Sequence, residues 1–152
     1  MDIKEKSVTV CSTDGEFSSP NTLLGIPQEI FSTSGNFKSG KIVDITVIGN
    51  GQNVKPKMDL LFFPDKITIE ATVGSQVNIP YDILKSCAGR VSILPEDYSI
   101  ISKCTVANLF NINMTFQYKI MYIVPVYQDT VKHQLHPNSL TINIGYELGV
   151  CA

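Results

Sequence analysis

The stretch MDLLFFP, Met58 to Pro64, limits the fold of this chain more than any other. Leu60, Leu61, Phe62 and Phe63 follow one another without a polar residue, and Pro64 closes the run. A strand with one wet side would alternate apolar and polar residues. This run does not, so either both of its faces are covered or one face meets a partner. YKIMYIVPVY, ending at Tyr127, is apolar on both parities in the same way.

Around these two runs the sequence alternates. KIVDITVIG puts Val43, Ile45 and Val47 on one face and is dense in β-branched residues, which suit a pleated, half-buried surface. GNGQN follows, with an Asn-Gly turn signal. KITIEATV alternates cleanly: Ile67, Ile69, Ala71 and Val73 against Thr68, Glu70 and Thr72. This predicts a strand with one wet side. In CTVANLFNINMTF, Val106, Asn108, Phe110, Ile112 and Met114 share a parity, and SLTINIGYEL sets Leu140, Ile142, Ile144, Tyr146 and Leu148 against Thr141, Asn143 and Glu147. NIPYDILKSCAGRV is the helix candidate, with Asn78 as cap, Pro80 in the first turn and Gly89 as the stop.

About seven strands and one short helix predict an all-β fold: a single β-sandwich, jelly-roll or immunoglobulin-like, over residues 37–152. Residues 1–36 are rich in Ser, Thr, Gly, Asn and Pro and lack periodicity, so they read as an extended N-terminal arm. Its apolar side chains Leu23, Leu24, Ile26, Ile30 and Phe31 are expected to dock on a neighbouring surface, in another subunit or back on this domain.

Composition narrows the function. The net charge is −2, and Arg90 is the lone arginine among 12 basic residues, so a basic stripe for nucleic acid is not expected. No apolar run reaches the roughly 20 residues that span a bilayer. The opening MDIKEKSVTVCSTDGEF has no apolar core, so no secretory leader is expected. Cys11, Cys87, Cys104 and Cys151 are scattered without a C-x-x-C pair and read as free thiols of a reducing compartment.

Chemistry-bearing motifs are scarce. His133 and His136 with Asp129 could ligate a metal, but the spacing fits no strong motif, and a solvated loop is the better reading. G-x-S-x-G, G-x-G-x-x-G and Walker patterns are absent. Asp59, Asp65, Asp82 and Asp97 suit turns and surface better than a catalytic pair. Asn113 heads a glycosylation sequon inside an expected strand. Trp is absent, and most of the tyrosines lie within apolar strand patterns, so sugar-stacking platforms are not indicated. No catalytic residue, metal or cofactor is assigned.

From SGKIVDITVIGNGQNVKPKMDLLFFPDKITI through CAGRVSILPEDYSI, CTVANLFNI and MYIVPVYQDT to SLTINIGYEL, residues 38–148 resemble small structural proteins of tailed-bacteriophage virions. Asp59, Leu60, Phe62 and Phe63 match a D-L-x-F-F strand, and Gly89, Val91 and Ile93 match a G-x-V-x-I strand. Tyr122, Val124 and Val126 match the next element; Leu140, Thr141, Ile142 and Gly145 match the last. One departure is that the D-L-x-F-F strand meets Pro64 and KITIEATV instead of an Asp-rich loop. The resemblance implies a non-enzymatic auxiliary or decoration protein, such as those of crAss-like phages. It would bind the major capsid protein or other virion proteins as a homo-oligomer, on the capsid surface, after assembly in the bacterial cytoplasm. A head–tail connector, a tail component and a carbohydrate-binding attachment module are the alternatives. Partner contacts are expected at the arm residues and at His133 and His136.

Overall fold

The computed structural model describes residues 3–12, 14–32, 37–110, 112, 114–116 and 120–150; Asn113 and Cys151 lie outside them. Among the described residues thirteen strands dominate: β1 Lys4–Val8, β2 Gly15–Phe17, β3 Thr22–Leu23, β4 Gln28–Ser32, β5 Phe37–Gly49, β6 Met58–Phe63, β7 Gly89–Ile93, β8 Tyr98–Ile101, β9 Cys104–Leu109, β10 Met114–Phe116, β11 Ile120–Tyr127, β12 His133–Leu135 and β13 Leu140–Val150. The helix is a single turn, α1, Tyr81–Leu84. Among the described residues no helix is long and apolar enough to cross a membrane.

Two antiparallel sheets stack face to face. The first runs β1-β13-β5-β9-β8, with β10 also on β5; the second runs β3-β11-β6-β7, with β4 on another part of β11. The chain passes between them repeatedly: β1 in the first, β3 and β4 in the second, β5 in the first, β6 and β7 in the second, β9 in the first, β11 in the second, β13 in the first. The orders 1-13-5-9 and 4-11-6-7 are those of a jelly roll and not of an immunoglobulin-like sandwich. A small ribbon, β2 with β12, closes one end.

Strand parity sets the inner core. Met58, Leu60 and Phe62 of β6, with Met121, Ile123 and Tyr127 of β11, face Ile42, Ile45, Val47, Ala107, Ile142 and Ile144 of the first sheet. Val43 does not join them. β13 pairs Gly145 with Asp44 and then Tyr146 with Ile42, so Val43 is the extra residue of a bulge.

The other parity resolves the unbroken run. Leu61 and Phe63 of β6 and Val124 and Val126 of β11 point away from the inner core, yet all are buried, with Leu23 and Val77, in a second apolar cluster. Its cover is the chain's own segment 64–88, through Ile67, Ile69, Ala71, Ile79, Ile83 and Cys87. KITIEATV is therefore not a ladder strand, contrary to its alternation. It lies extended over the second sheet, apolar side down, and joins an edge only at its far end. There Gly74 N–H donates to Leu23 O (2.8 Å), Leu23 N–H to Ser75 O (3.0 Å) and Val77 N–H to Asn21 O (2.7 Å). The helix is also shorter than its sequence suggested: Pro80, not Asn78, occupies the cap, and Gly89 begins β7.

The expected arm is corrected as well. β1 pairs with β13 and β3 and β4 with β11, so this segment supplies strands to both sheets. Pro20, Gly25 and Pro27 break it into pieces too short to show a period. Each piece is held by a long central strand instead of by its own propensity.

Candidate functional site

The expected partner-binding residues do not form one exposed surface. Leu23 and Leu24 are 0% exposed, and Ile30 and Phe31 only 4%. Leu24, Ile30 and Phe31 belong to the inner core and Leu23 to the second cluster. Phe31 stacks on Tyr146 at a centroid distance of 5.6 Å. Ile26 alone of the five stays outside, at 59% exposure. These four are core residues because their strands lie on the long strand β11 or beside it, and a partner could reach them only by opening the sandwich.

The histidines separate too. His133 sits in β12 and is buried, not solvated. Its Nδ1 lies 2.8 Å from the Tyr127 hydroxyl. That hydroxyl also faces the carbonyls of Phe17, at 3.0 Å, and Val131, and it has a single proton to donate among them. Burial first, and then the Asp129 carboxylate, push the Tyr127 phenol well above its ordinary range. His136 is exposed and pairs with Asp14 at 3.1 Å, a contact of small energetic weight. Asp129 is buried and spends its oxygens on backbone donors, Lys57 N–H (3.1 Å) and Val131 N–H (2.9 Å). Tyr98, buried nearby, donates its hydroxyl to Pro56 O at 2.8 Å. These bonds tie the loops at this end to one another and to the strand ends. Among the described residues no three His, Cys, Asp or Glu side chains are placed to share a metal ion.

Two other surfaces carry more functional information. The first is the outer face of the β1-β13-β5-β9-β8 sheet. Strand register lines up Ser7, Asn143, Thr46 and Asn108 in one row across four strands. Thr141, Ile48, Val106 and Ser99 form the next row. Neither row holds an ionisable side chain, and Thr46 Oγ1 donates to Asn108 Oδ1 at 2.9 Å. No described segment of the chain packs over this face as 64–88 packs over the other. Two residues of the eight, Thr141 and Asn143, were visible as a polar face in the alternation of SLTINIGYEL; assembling the rows needed the strand order.

The second is a cleft of about 300 Å³ on the outer side of the second sheet, between the strands and the 64–88 segment. Asp59, Leu61, Arg90, Val126 and Gln128 line it from the sheet side, and Asn21, Val77, Asn78, Ile79 and Leu84 close it. Ser92 Oγ donates to Asp59 Oδ1 at 2.6 Å. Asn21 and Gln128 clasp each other: Asn21 N–H donates to Gln128 Oε1 (3.0 Å) and Gln128 Nε2 to Asn21 Oδ1 (3.1 Å). Sequence reasoning treated Asp59 as a surface acid and Arg90 only as a count; β6–β7 pairing, with Asp59 opposite Ser92 and Leu61 opposite Arg90, brings them to one place.

The sequence matches no protein-family model and no curated protein.

Proposed function

We propose that this chain is a non-enzymatic structural component of a tailed-phage virion, an auxiliary or decoration protein that sits on the major capsid protein lattice and reinforces the head. One observation carries the reading: on the outer face of the first sheet two adjacent rows, four strands wide, hold no charge and are left uncovered by the described chain, beside a row that carries Glu5 and Asp44 at its rim. Centres of protein interfaces are depleted in charge, whereas a permanently solvated sheet face carries lysines and glutamates. The jelly roll agrees with this, since the architecture is used in capsid proteins, although a fold alone assigns no function. On this reading the capsid contact moves from the N-terminal segment, which is consumed by the core, to Thr46, Asn143 and their neighbours.

The test is a charge placed on that face. Thr46→Lys alone should leave the melting temperature nearly unchanged, because the position is partly exposed on the outer face and no second lysine is set opposite it. Incorporation into heads, measured by co-sedimentation with purified particles, should be lost. Incorporation at the level of the unmodified chain would sink the proposal.

A further inference from the structure

The cleft at Asp59 and Arg90 opens on the side of the sandwich opposite the charge-free rows, so its role is independent of capsid attachment. At about 300 Å³ it is at the small end of the range for small-molecule sites, roughly 300–1,000 Å³. Leu61, Val77 and Val126 supply an aliphatic surface. The polar lining consists of one carboxylate, one guanidinium and the carboxamides of Asn21, Asn78 and Gln128.

These groups are held in place and only partly used. Asp59 Oδ1 takes the Ser92 hydroxyl, while Oδ2 has no hydrogen-bond partner among the described residues. Arg90 is exposed and makes no ion pair among the described residues. The mutual bonds of Asn21 and Gln128 fix both amides yet leave the Asn21 Nδ2 donors unspent. The cleft therefore offers donors and acceptors in close alternation beside an aliphatic surface, with one positive and one negative charge that cancel.

That combination selects among ligand classes. A nucleotide or other phosphate needs several cationic or backbone donors, and a single arginine is too few. A lipid chain would strand the carboxylate and the amides without partners. A metal ion would find one carboxylate. A sugar ring has vicinal hydroxyls that both donate and accept, with C–H patches between them. We infer that this cleft binds a neutral saccharide unit of one or two rings. Asp59 Oδ2 accepts from ring hydroxyls, Arg90 and the carboxamides donate to ring oxygens, and Leu61 and Val126 meet the C–H face.

The full-length chain, labelled with 15N, is titrated with D-galactose, D-glucose, N-acetyl-D-glucosamine and methyl α-D-mannopyranoside at millimolar concentrations, and the fluorescent protein is applied to a glycan array. At least one of these sugars should shift the side-chain signals of Asn21, Asn78, Gln128 and Arg90 while leaving the Thr46 and Asn143 signals in place. Arg90→Ala is at an exposed position and should fold normally; it should weaken that sugar about tenfold or more, as loss of a charged donor does. Asp59→Asn, which keeps an acceptor for Ser92, should weaken it in the same direction. The inference is overturned if no sugar shifts these signals and no arrayed glycan retains the protein above the Arg90→Ala control. Undiminished binding by both variants overturns it equally.

Discussion

The two outer faces of the sandwich start from the same architecture and end differently. On the second sheet, β6 and β11 turn Leu61, Phe63, Val124 and Val126 outward, and the chain spends residues 64–88 to bury them. On the first sheet, β5, β9 and β13 turn Thr46, Ile48, Val106, Asn108, Thr141 and Asn143 outward, and no described segment covers them. An apolar outer face must be buried, within the chain or against a partner, or it aggregates. The two rows of small hydroxyls and amides with two aliphatic residues, flanked by Glu5 and Asp44, stay soluble alone and still accept a neighbour without desolvating a charge within the rows. The difference separates a face built for stability from one open to contact.

The largest expected effect comes from removing the cover. Replacing residues 66–76 by a Gly/Ser linker should expose Leu61, Phe63, Val124 and Val126 and yield a self-associating protein that binds hydrophobic dyes. A replacement that stays monomeric with an unchanged melting temperature would show that the cover is incidental.

Next come single truncations on the two sides of one strand. Phe62 faces the inner core and Phe63 the covered face, and both are 0% exposed. Each change to Ala should cost about 3–5 kcal/mol in urea unfolding, the usual loss for a buried phenylalanine. Thr46→Ala on the open face should stay within about 0.5 kcal/mol. If Phe63→Ala cost under about 1 kcal/mol while Phe62→Ala cost the full amount, the second cluster would be a loose cover and not a core.

Alkali should act from the inner side. Burial pushes the Cys11 thiol from its ordinary 9.0 up to about 12. Burial is also the main cause that raises the phenols of Tyr98 and Tyr127 above theirs, with Asp129 adding to both and Asp97 to Tyr98. The unfolded chain releases these protons at lower pH than the folded one. The stability they contribute is therefore full below about pH 9 and falls as pH rises towards 12. Melting temperatures measured from neutral pH upward should decline above about pH 9, and Cys11→Ala should flatten the decline. A flat profile in the unmodified chain would remove the inner thiol and phenols from the account.

The smallest effect is kinetic. Cys87 is a half-buried residue of the cover itself, whereas Cys11 is fully enclosed in the inner core. Under native conditions iodoacetamide should modify Cys87 well before Cys11, because the cover can open without unfolding the sandwich. Equal rates would mean that the two cores open together.

Several of these features were legible in the sequence. The all-β fold followed from alternation and β-branched runs, and the unbroken Leu60–Phe63 run left cover on both faces or a partner on one as the outcomes, of which the first is found. In KITIEATV the alternation reported the right burial, with Ile67, Ile69 and Ala71 down and Thr68, Glu70 and Thr72 out. Period two records that one face is covered; it does not record whether the backbone joins a ladder. The fragments β1, β3 and β4 were invisible because strands of two to five residues give no period. His133 read as a loop residue because β12 has only three residues and its burial depends on Tyr127. The charge-free rows and the Asp59–Arg90 cleft depend on which strands become neighbours, and local pattern does not contain that information.

The strand order also has a consequence for how the chain is made. β13 is flanked by β1 and β5, and β11 by β4 and β6, so an interior strand of each sheet comes from residues 120–150. During synthesis the flanking strands emerge first, with edges that have nothing to pair with. Neither sheet closes until this late segment threads between strands made long before it, such as β1, where Lys4 pairs with Tyr146. Loop closure over such separations is slow, and it leaves MDLLFFP exposed in the meantime. The growing chain is therefore at its most adhesive just before residues 120–150 emerge, when holding by a chaperone would matter most.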